Sequence, residues 1–261
     1  MKRKFSTEER RSIILNTLHD QGRVSVQDLV ATFGVSEVSI RKDLAVLEER
    51  QLLVRVKSGA INIHQNGDCD DLSVNRKKHI NARQKEMIGK YAASLVKEGE
   101  TIIIDSGTTT MEIAKSLGHI HKLTAITNAL DIALCLNNYK NFSVMVLGGN
   151  LREVSYSTVG MFAELGVKNI YCDKAFLGVD SISIKDGLST PSIEEASLNQ
   201  AMINSAREVI TVFDSSKYGR RTFAHIASLG KVNTIVTDSG IPQEFRDYCA
   251  SNGITLHIVE V

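Results

Sequence analysis

Apolar positions recur along this chain with two different periods. In the first fifty residues the spacing is helical. Ile13, Ile14 and Leu18 share one face, Leu29, Val30 and Phe33 a second, and Ile40, Leu44 and Leu47 fall at i, i+4 and i+7 of a third. Each run opens on a capping signal: Ser6-Thr-Glu-Glu9, Ser25-Val-Gln-Asp28 and Ser36. Gly22 and Gly34 stop the first two helices. The period then changes. In LVRVKSGAINI, Val54 and Val56 alternate with Arg55 and Lys57, and a Ser58-Gly59 turn leads to Ile61 and Ile63. That pattern predicts a hairpin whose apolar face packs on the helices and whose other face carries Arg55 and Lys57.

Residues 64–80 are polar and aperiodic and read as a linker, with a helix following from about Asn81 to Lys97. Beyond it, strand and helix patterns alternate. Strands are expected at 101–104, 123–126, 143–147, 174–179, 209–213, 234–237 and 254–259. Helices are expected at 109–117, 129–137 and 192–206, and after Pro242. Such alternation predicts an α/β fold with a largely parallel sheet. The chain divides on this reading into an N-terminal domain, 1–63, a linker, 64–80, and a large domain, 81–261.

Two helices joined by Gly34-Val35-Ser36 make a helix-turn-helix, whose second helix enters the major groove of double-stranded DNA. The residues placed to read it are Ser36, Glu37, Val38, Ser39 and Arg41, with Lys42 available to a phosphate. A basic hairpin behind such a motif is a wing, which puts Arg55 and Lys57 at the DNA backbone. Charge agrees. The whole chain is nearly neutral, with 31 Lys and Arg against 30 Asp and Glu, but residues 1–62 carry a net +3.

In a parallel α/β sheet, ligands sit beyond the carboxyl ends of the strands. There the chain places Asp105-Ser106-Gly107-Thr108-Thr109-Thr110, then Thr127-Asn128, Gly148-Gly149-Asn-Leu-Arg152, Gly178-Val-Asp180 and Asp214-Ser-Ser-Lys217. The first stretch reads in two ways. Thr109 and Glu112 fit a capping box. Equally, a helix start lined with hydroxyls attracts anions, and Gly107 lets the backbone come close. No Walker A or G-x-G-x-x-G pattern is present. Asn128 has its own plain alternative as a cap, since Asp131 lies three residues on. Together these groups offer anion donors on one side and hydroxyl-binding carboxylates on the other, which is what a phosphorylated sugar or polyol requires.

The stretch GVSEVSIRKDLAVLEERQLLVRVKSGAI resembles the winged helix-turn-helix of the DeoR family of bacterial transcriptional regulators, with Ser58 where that family's wing usually carries a glycine. Farther along, DSGTTT, TNAL, GGNLR, FLGVDSIS, GLSTPSIEEA and DSSKYG, in that order, are similar to the DeoR-type sensor domain. The resemblance implies a fold similar to ribose-5-phosphate isomerase and a sugar-phosphate effector, with Asp105 to Thr110 around the phosphate. It also implies a pocket lined by Asp180 and Lys217, with Glu194 or Glu195 near it.

The expectation is therefore a repressor of a carbohydrate-use operon, binding operator DNA as a homo-oligomer and relieved by its effector. The alternative is a sugar-phosphate isomerase or deaminase with an N-terminal extension. No catalytic residue, metal site or cofactor is called for. Cys69, Cys135, Cys172 and Cys249 are scattered without a C-x-x-C pair. The start MKRKFSTEERR has no apolar segment behind it, and no apolar run is long enough for a membrane span, so a cytoplasmic location is expected.

Overall fold

The computed structural model describes residues 5–50, 52–61 and 73–261, with the backbone alone at residues 19 and 20. It contains two compact units, residues 1–82 and 83–261.

The first unit begins with α1 (Thr7–Gln21), β1 (Arg23–Ser25), α2 (Val26–Phe33) and α3 (Glu37–Glu49). The Ser6 box forms in both directions: the Ser6 amide donates to Glu9 Oε2 at 2.8 Å, and the Glu9 amide to Ser6 Oγ at 3.2 Å. At Ser25 only half of it forms. Asp28 N donates to Ser25 Oγ at 3.1 Å, while the Asp28 carboxylate takes the Ser25 hydroxyl instead of the backbone. Gly22 and Gly34 close their helices at φ +71° and +64°, a region that disfavours side chains. Ile14, Leu18, Leu29, Phe33, Ile40, Leu44 and Leu47 form the core as expected.

The hairpin is β2 (Val54–Val56) and β3 (Gly59–Ile61), and with β1 it makes a sheet of order β1-β3-β2. Its apolar face does not pack on the helices as expected, and all three β2 residues are exposed. Val54 and Val56 are 41% and 39% exposed, while Arg55 sits opposite buried Ala60 and is held by Glu48 of α3 at 2.6 Å. The reason is the central place of β3. It packs so closely on β1 that a Cβ on Gly59 would lie 1.9 Å from the Val24 carbonyl oxygen, so the core is filled from β3 and β2 is left as an edge. Ile63 and the first part of the expected linker lie outside the described residues. The remainder of the linker carries a short helix, α4 (Val74–Lys77).

The second unit follows from α5 (Ala82–Ser94), which starts one residue after Asn81 adopts φ +50°. It continues through β4 (Thr101–Ile104), α6 (Thr108–Lys115), β5 (Leu123–Thr127), α7 (Leu130–Leu136), β6 (Phe142–Val146), β7 (Asn150–Arg152), β8 (Ser157–Val159) and α8 (Met161–Lys168). Then come β9 (Cys172–Gly178), β10 (Ser181–Ser183), β11 (Gly187–Thr190), α9 (Ile193–Ser205), β12 (Ala206–Val212), β13 (Ala224–Ala227), β14 (Thr234–Asp238), α10 (Gln243–Ser251) and β15 (Thr255–Val259). Seven strands form one sheet, in the order β15-β14-β12-β9-β4-β5-β6, and every pairing in it is parallel. Both faces are covered, which is why the strands read as unbroken apolar runs. Ile102 and Ile104 pack towards α5, α6 and α7, whereas Ile103 packs towards α8, α9 and α10.

From β4 the chain winds outward to β6, then crosses back to β9 on the other side of β4. The sheet's switch point, the favoured place for a ligand, thus lies between β4 and β9. Gly89 of α5 helps to set α6 there. A Cβ on it would come within 2.4 Å of Glu112 Cβ and 2.7 Å of the Glu112 carbonyl carbon, so only glycine permits this approach. Among the described residues no helix is long and apolar enough to cross a membrane, and no cluster of three metal-ligating side chains occurs.

Candidate functional site

Two regions carry candidate chemistry, one in each unit. In the first, Ser36 caps α3 by accepting from the Ser39 amide at 3.3 Å. Ser36, Glu37, Val38, Arg41 and Lys42 are all exposed, with Val38 at 76%, and Ser39 is half-buried. Arg41 is already engaged: its Nε and Nη2 donate to Glu37 Oε1 at 2.8 and 2.6 Å. On the wing, Arg55 is paired with Glu48 and Lys57 is exposed. The inner face of α3 holds a feature that apolar periodicity does not reveal. Asp43 is 2% exposed and takes Arg10 Nε at 2.6 Å and Arg11 Nε at 2.9 Å, which ties α3 to α1.

In the second unit the candidate residues gather at the switch point. Asp105, directly after β4, is buried and accepts from Asn199 Nδ2 of α9 at 2.8 Å. Burial pushes its pKa from 3.8 up to about 7, against the Asn199 hydrogen bond, and the nearby charges of Glu195 and Asp180 add to the rise. The loop after it corrects the expected cap. Gly107, at φ +150°, is the residue preceding α6, and the helix begins at Thr108 with no side chain capping it. Thr109 lies inside the first turn and is buried, and Glu112 pairs with Lys115 at 2.7 Å, so the Thr109–Glu112 box does not form. Thr110 Oγ1 donates to the Gly107 carbonyl at 3.0 Å, and Ser106 and Thr108 are half-buried. The start of α6 therefore offers backbone N–H groups and two accessible hydroxyls, with a glycine at the approach.

Asn128 is not a helix cap. It is buried, accepts from the Ser106 amide at 3.1 Å and donates to the Thr158 carbonyl at 3.4 Å, so it ties the loop after β5 to the loop after β4. Gly148 and Gly149 are exposed, and a Cβ on Gly149, at φ +135°, would lie 2.4 Å from the Val159 carbonyl oxygen, which fits a close turn. After β9, Asp180 Oδ2 accepts from Thr190 Oγ1 at 3.1 Å, and the same hydroxyl reaches Glu195 Oε2 at 3.1 Å. Glu195 also pairs with Arg152 and takes Ser155 Oγ at 3.1 Å, whereas Glu194 is exposed. Lys217 is half-buried in a turn after β12, and that turn is bound to β10 by a bond from Gly219 N to the Ile182 carbonyl at 2.9 Å. Asn199, Thr190 and Ser155 had no sequence signal of their own.

A family model described as the DeoR C-terminal sensor domain matches residues 80–239, and one described as the DeoR-like helix-turn-helix domain matches residues 10–66. The chain belongs to the DeoR family of transcriptional regulators. Relatives over its full length agree. A protein of Escherichia coli O157:H7, named for the aga operon as its transcriptional repressor, is 37% identical, over 99% of this chain and 96% of the relative. The HTH-type transcriptional repressor GlcR of Bacillus subtilis is 31% identical, over 97% and 96%. Ribose 5-phosphate isomerase A of Methanocaldococcus jannaschii overlaps at a TM-score of 0.39 and 18% identity, over 53% of this chain and 55% of the isomerase. This DeoR-family protein is a DNA-binding transcriptional regulator with a small-molecule sensor domain, and not an enzyme.

Proposed function

We propose that this DeoR-family protein represses a carbohydrate-use operon in the cytoplasm, and that a phosphorylated sugar or polyol releases it from DNA. In this reading residues 1–63 read the operator, 64–80 connect, and 81–261 sense the effector and pair the copies. The observation that carries it is the start of α6. A glycine and accessible hydroxyls surround N–H groups that no side chain caps, at the switch point of a parallel sheet. The phosphate docks on Ser106 to Thr110, with Lys217, from the turn after β12 at the same end of the parallel sheet, as the cation. Asp105 and Asp180 accept the sugar hydroxyls, while Asn128 and Gly149 shape the loops. Relatives named as repressors, one of them for the aga operon, support the regulatory direction.

A ligand shifts such a protein only by its unequal affinity for the DNA-bound and DNA-free states. Blocking the phosphate should thus leave operator affinity intact and abolish release. Thr109 is too buried to receive a new carboxylate, so Thr108→Glu is the informative change. It places a negative charge in the cradle at a position a helix start tolerates. Mobility shifts on the upstream region of the protein's own operon, with a panel of sugar phosphates and the matching free sugars, make the measurement. The expected result is a Thr108→Glu repressor that stays bound while the parent lets go. Equal release of parent and variant, or release of the parent by the free sugar alone, refutes the phosphate cradle.

On the DNA side, the protein reads repeated or palindromic half-sites as a homo-oligomer, because one short helix within a segment of net charge +3 offers few contacts. Arg41→Ala is expected to cost about 1–3 kcal/mol if a base contact is lost. Lys42→Ala should lower the salt slope of binding by roughly one. Operator titrations at several salt concentrations check both, and unchanged affinity in both variants would remove α3 from the groove.

A further inference from the structure

The sheet ends on one side at β6, and this edge is unlike an edge meant for water. Phe142-Ser-Val-Met-Val146 contains no charge and no proline, the usual guards against strand-to-strand association. Met145 and Val146 are 49% and 44% exposed. The opposite edge differs: in β15 only Thr255 is exposed, and His257 is bonded to Tyr91 at 2.8 Å.

The helices beside β6 continue the apolar surface. Phe142 and Val144 point towards the core that contains α7, and α7 packs on β6. On its outer side Leu134 is 72% exposed. Across the strand, Leu147 belongs to the core that contains α8, and a Cβ on Gly166 of α8 would lie 3.3 Å from Leu147 Cδ2. The outer side of α8 presents Met161, Phe162 and Leu165 at 66%, 70% and 49% exposure. Among the described residues no strand pairs with the outer side of β6, so it lies open between two helices that both turn large apolar side chains outward.

We propose that the β6 edge, with the outer faces of α7 and α8, is where a second copy of this chain docks. The inference rests on the homo-oligomer reading above and adds the surface to it. Size supports a copy as the occupant. The six side chains Leu134, Met145, Val146, Met161, Phe162 and Leu165, at roughly 100 Å² exposed each, give about 600 Å², the upper end of what a monomer shows as its largest apolar patch. A standard interface takes about 800 Å² from each partner, some two-thirds of it apolar at the core, so this patch supplies what one side of a dimer needs. A two-fold axis brings the same patch against itself and sets the two β6 strands antiparallel, which joins two seven-stranded sheets into one.

Sedimentation of the full chain at micromolar concentration, with and without operator DNA, tests this with three variants. Met145→Asp and Leu134→Asp each put a charge into the patch from different elements. Phe223→Asp alters a 79% exposed aromatic beside β13, outside the seven-stranded sheet, as the control. Thermal melting confirms that each variant is folded, and either patch variant suffices if the other is not. The expected result is an associating parent and Phe223→Asp protein, with the dissociation constant of the patch variants raised about 100-fold or more. A parent that associates together with folded patch variants that associate equally well overturns the surface and leaves the oligomer intact. A parent that is monomeric under both conditions overturns the oligomer as well.

Discussion

An Asp43→Ala protein is expected to lose about 3–5 kcal/mol of stability in its first unit, the range for removing one partner of a buried ion pair. Asp43 lies on the same stripe of α3 as Ile40, Leu44 and Leu47, and its side chain is 2% exposed. Two guanidiniums depend on it, those of Arg10 and Arg11, which are themselves only 11% and 14% exposed. Alanine leaves both cations buried without their carboxylate. A unit of some eighty residues has a total stability of only several kcal/mol, so the loss is enough to unfold much of it near physiological temperature. Calorimetry should show an early transition in the variant that the parent lacks, and operator binding should fail with it. Arg10→Ala and Arg11→Ala should each cost less, because one guanidinium still meets Asp43. A melting profile unchanged in Asp43→Ala would mean that the three groups are solvated in solution.

The second large effect concerns Asp105. Its pKa is raised from 3.8 to about 7 in the folded protein, so the folded state favours the protonated acid. The sign follows from linkage: the stability this group contributes is complete below about pH 4 and is lost as pH rises through 7. A shift of this size corresponds to about 4 kcal/mol at the alkaline end. Asp105→Asn keeps the shape, can still accept from Asn199, and has no proton to lose. At pH 8 the variant should therefore melt well above the parent, with the gap closing as pH falls to 4. Parallel curves across that range would place the carboxyl at its ordinary pKa. On the proposed role of Asp105 in holding the effector, the stabilised variant should also lose its effector response, since a buried carboxylate beside Asn199, Asp180 and Glu195 costs stability where it stands.

Much of this architecture was legible in the sequence. The three N-terminal helices, their glycine stops and the seven main strands follow from apolar period and capping chemistry. Features that depend on what packs against what were not. The wing's valines do not meet the core as expected, because alternation says that two faces exist, not which one is covered. The Thr109–Glu112 box was a false match: Gly107, at φ +150°, lets the helix start at Thr108. β7, β8, β10, β11 and β13 have three or four residues each, too few to show a period. The choice between Glu194 and Glu195 was not legible either, since α9 buries residues on most of its circumference and gives no phase; the structure turns Glu195 and Asn199, four apart, inward together. Asp43 did leave a trace, a lone acid in an apolar stripe with Arg10-Arg11 upstream.

If the uncapped start of α6 holds the effector as proposed, the protein has a response that needs no DNA to be observed. Any anion that fits those N–H groups binds the folded chain and not the unfolded one, so occupancy appears as heat resistance. At a hundred times its dissociation constant a ligand adds about 2.7 kcal/mol. On that proposal the melting temperature of the purified regulator becomes an assay for its effector. A collection of phosphorylated sugars, or fractions of a cell extract, can be ranked by the rise they cause before any operator is known. Thr108→Glu, which blocks the proposed cradle, serves as the blank.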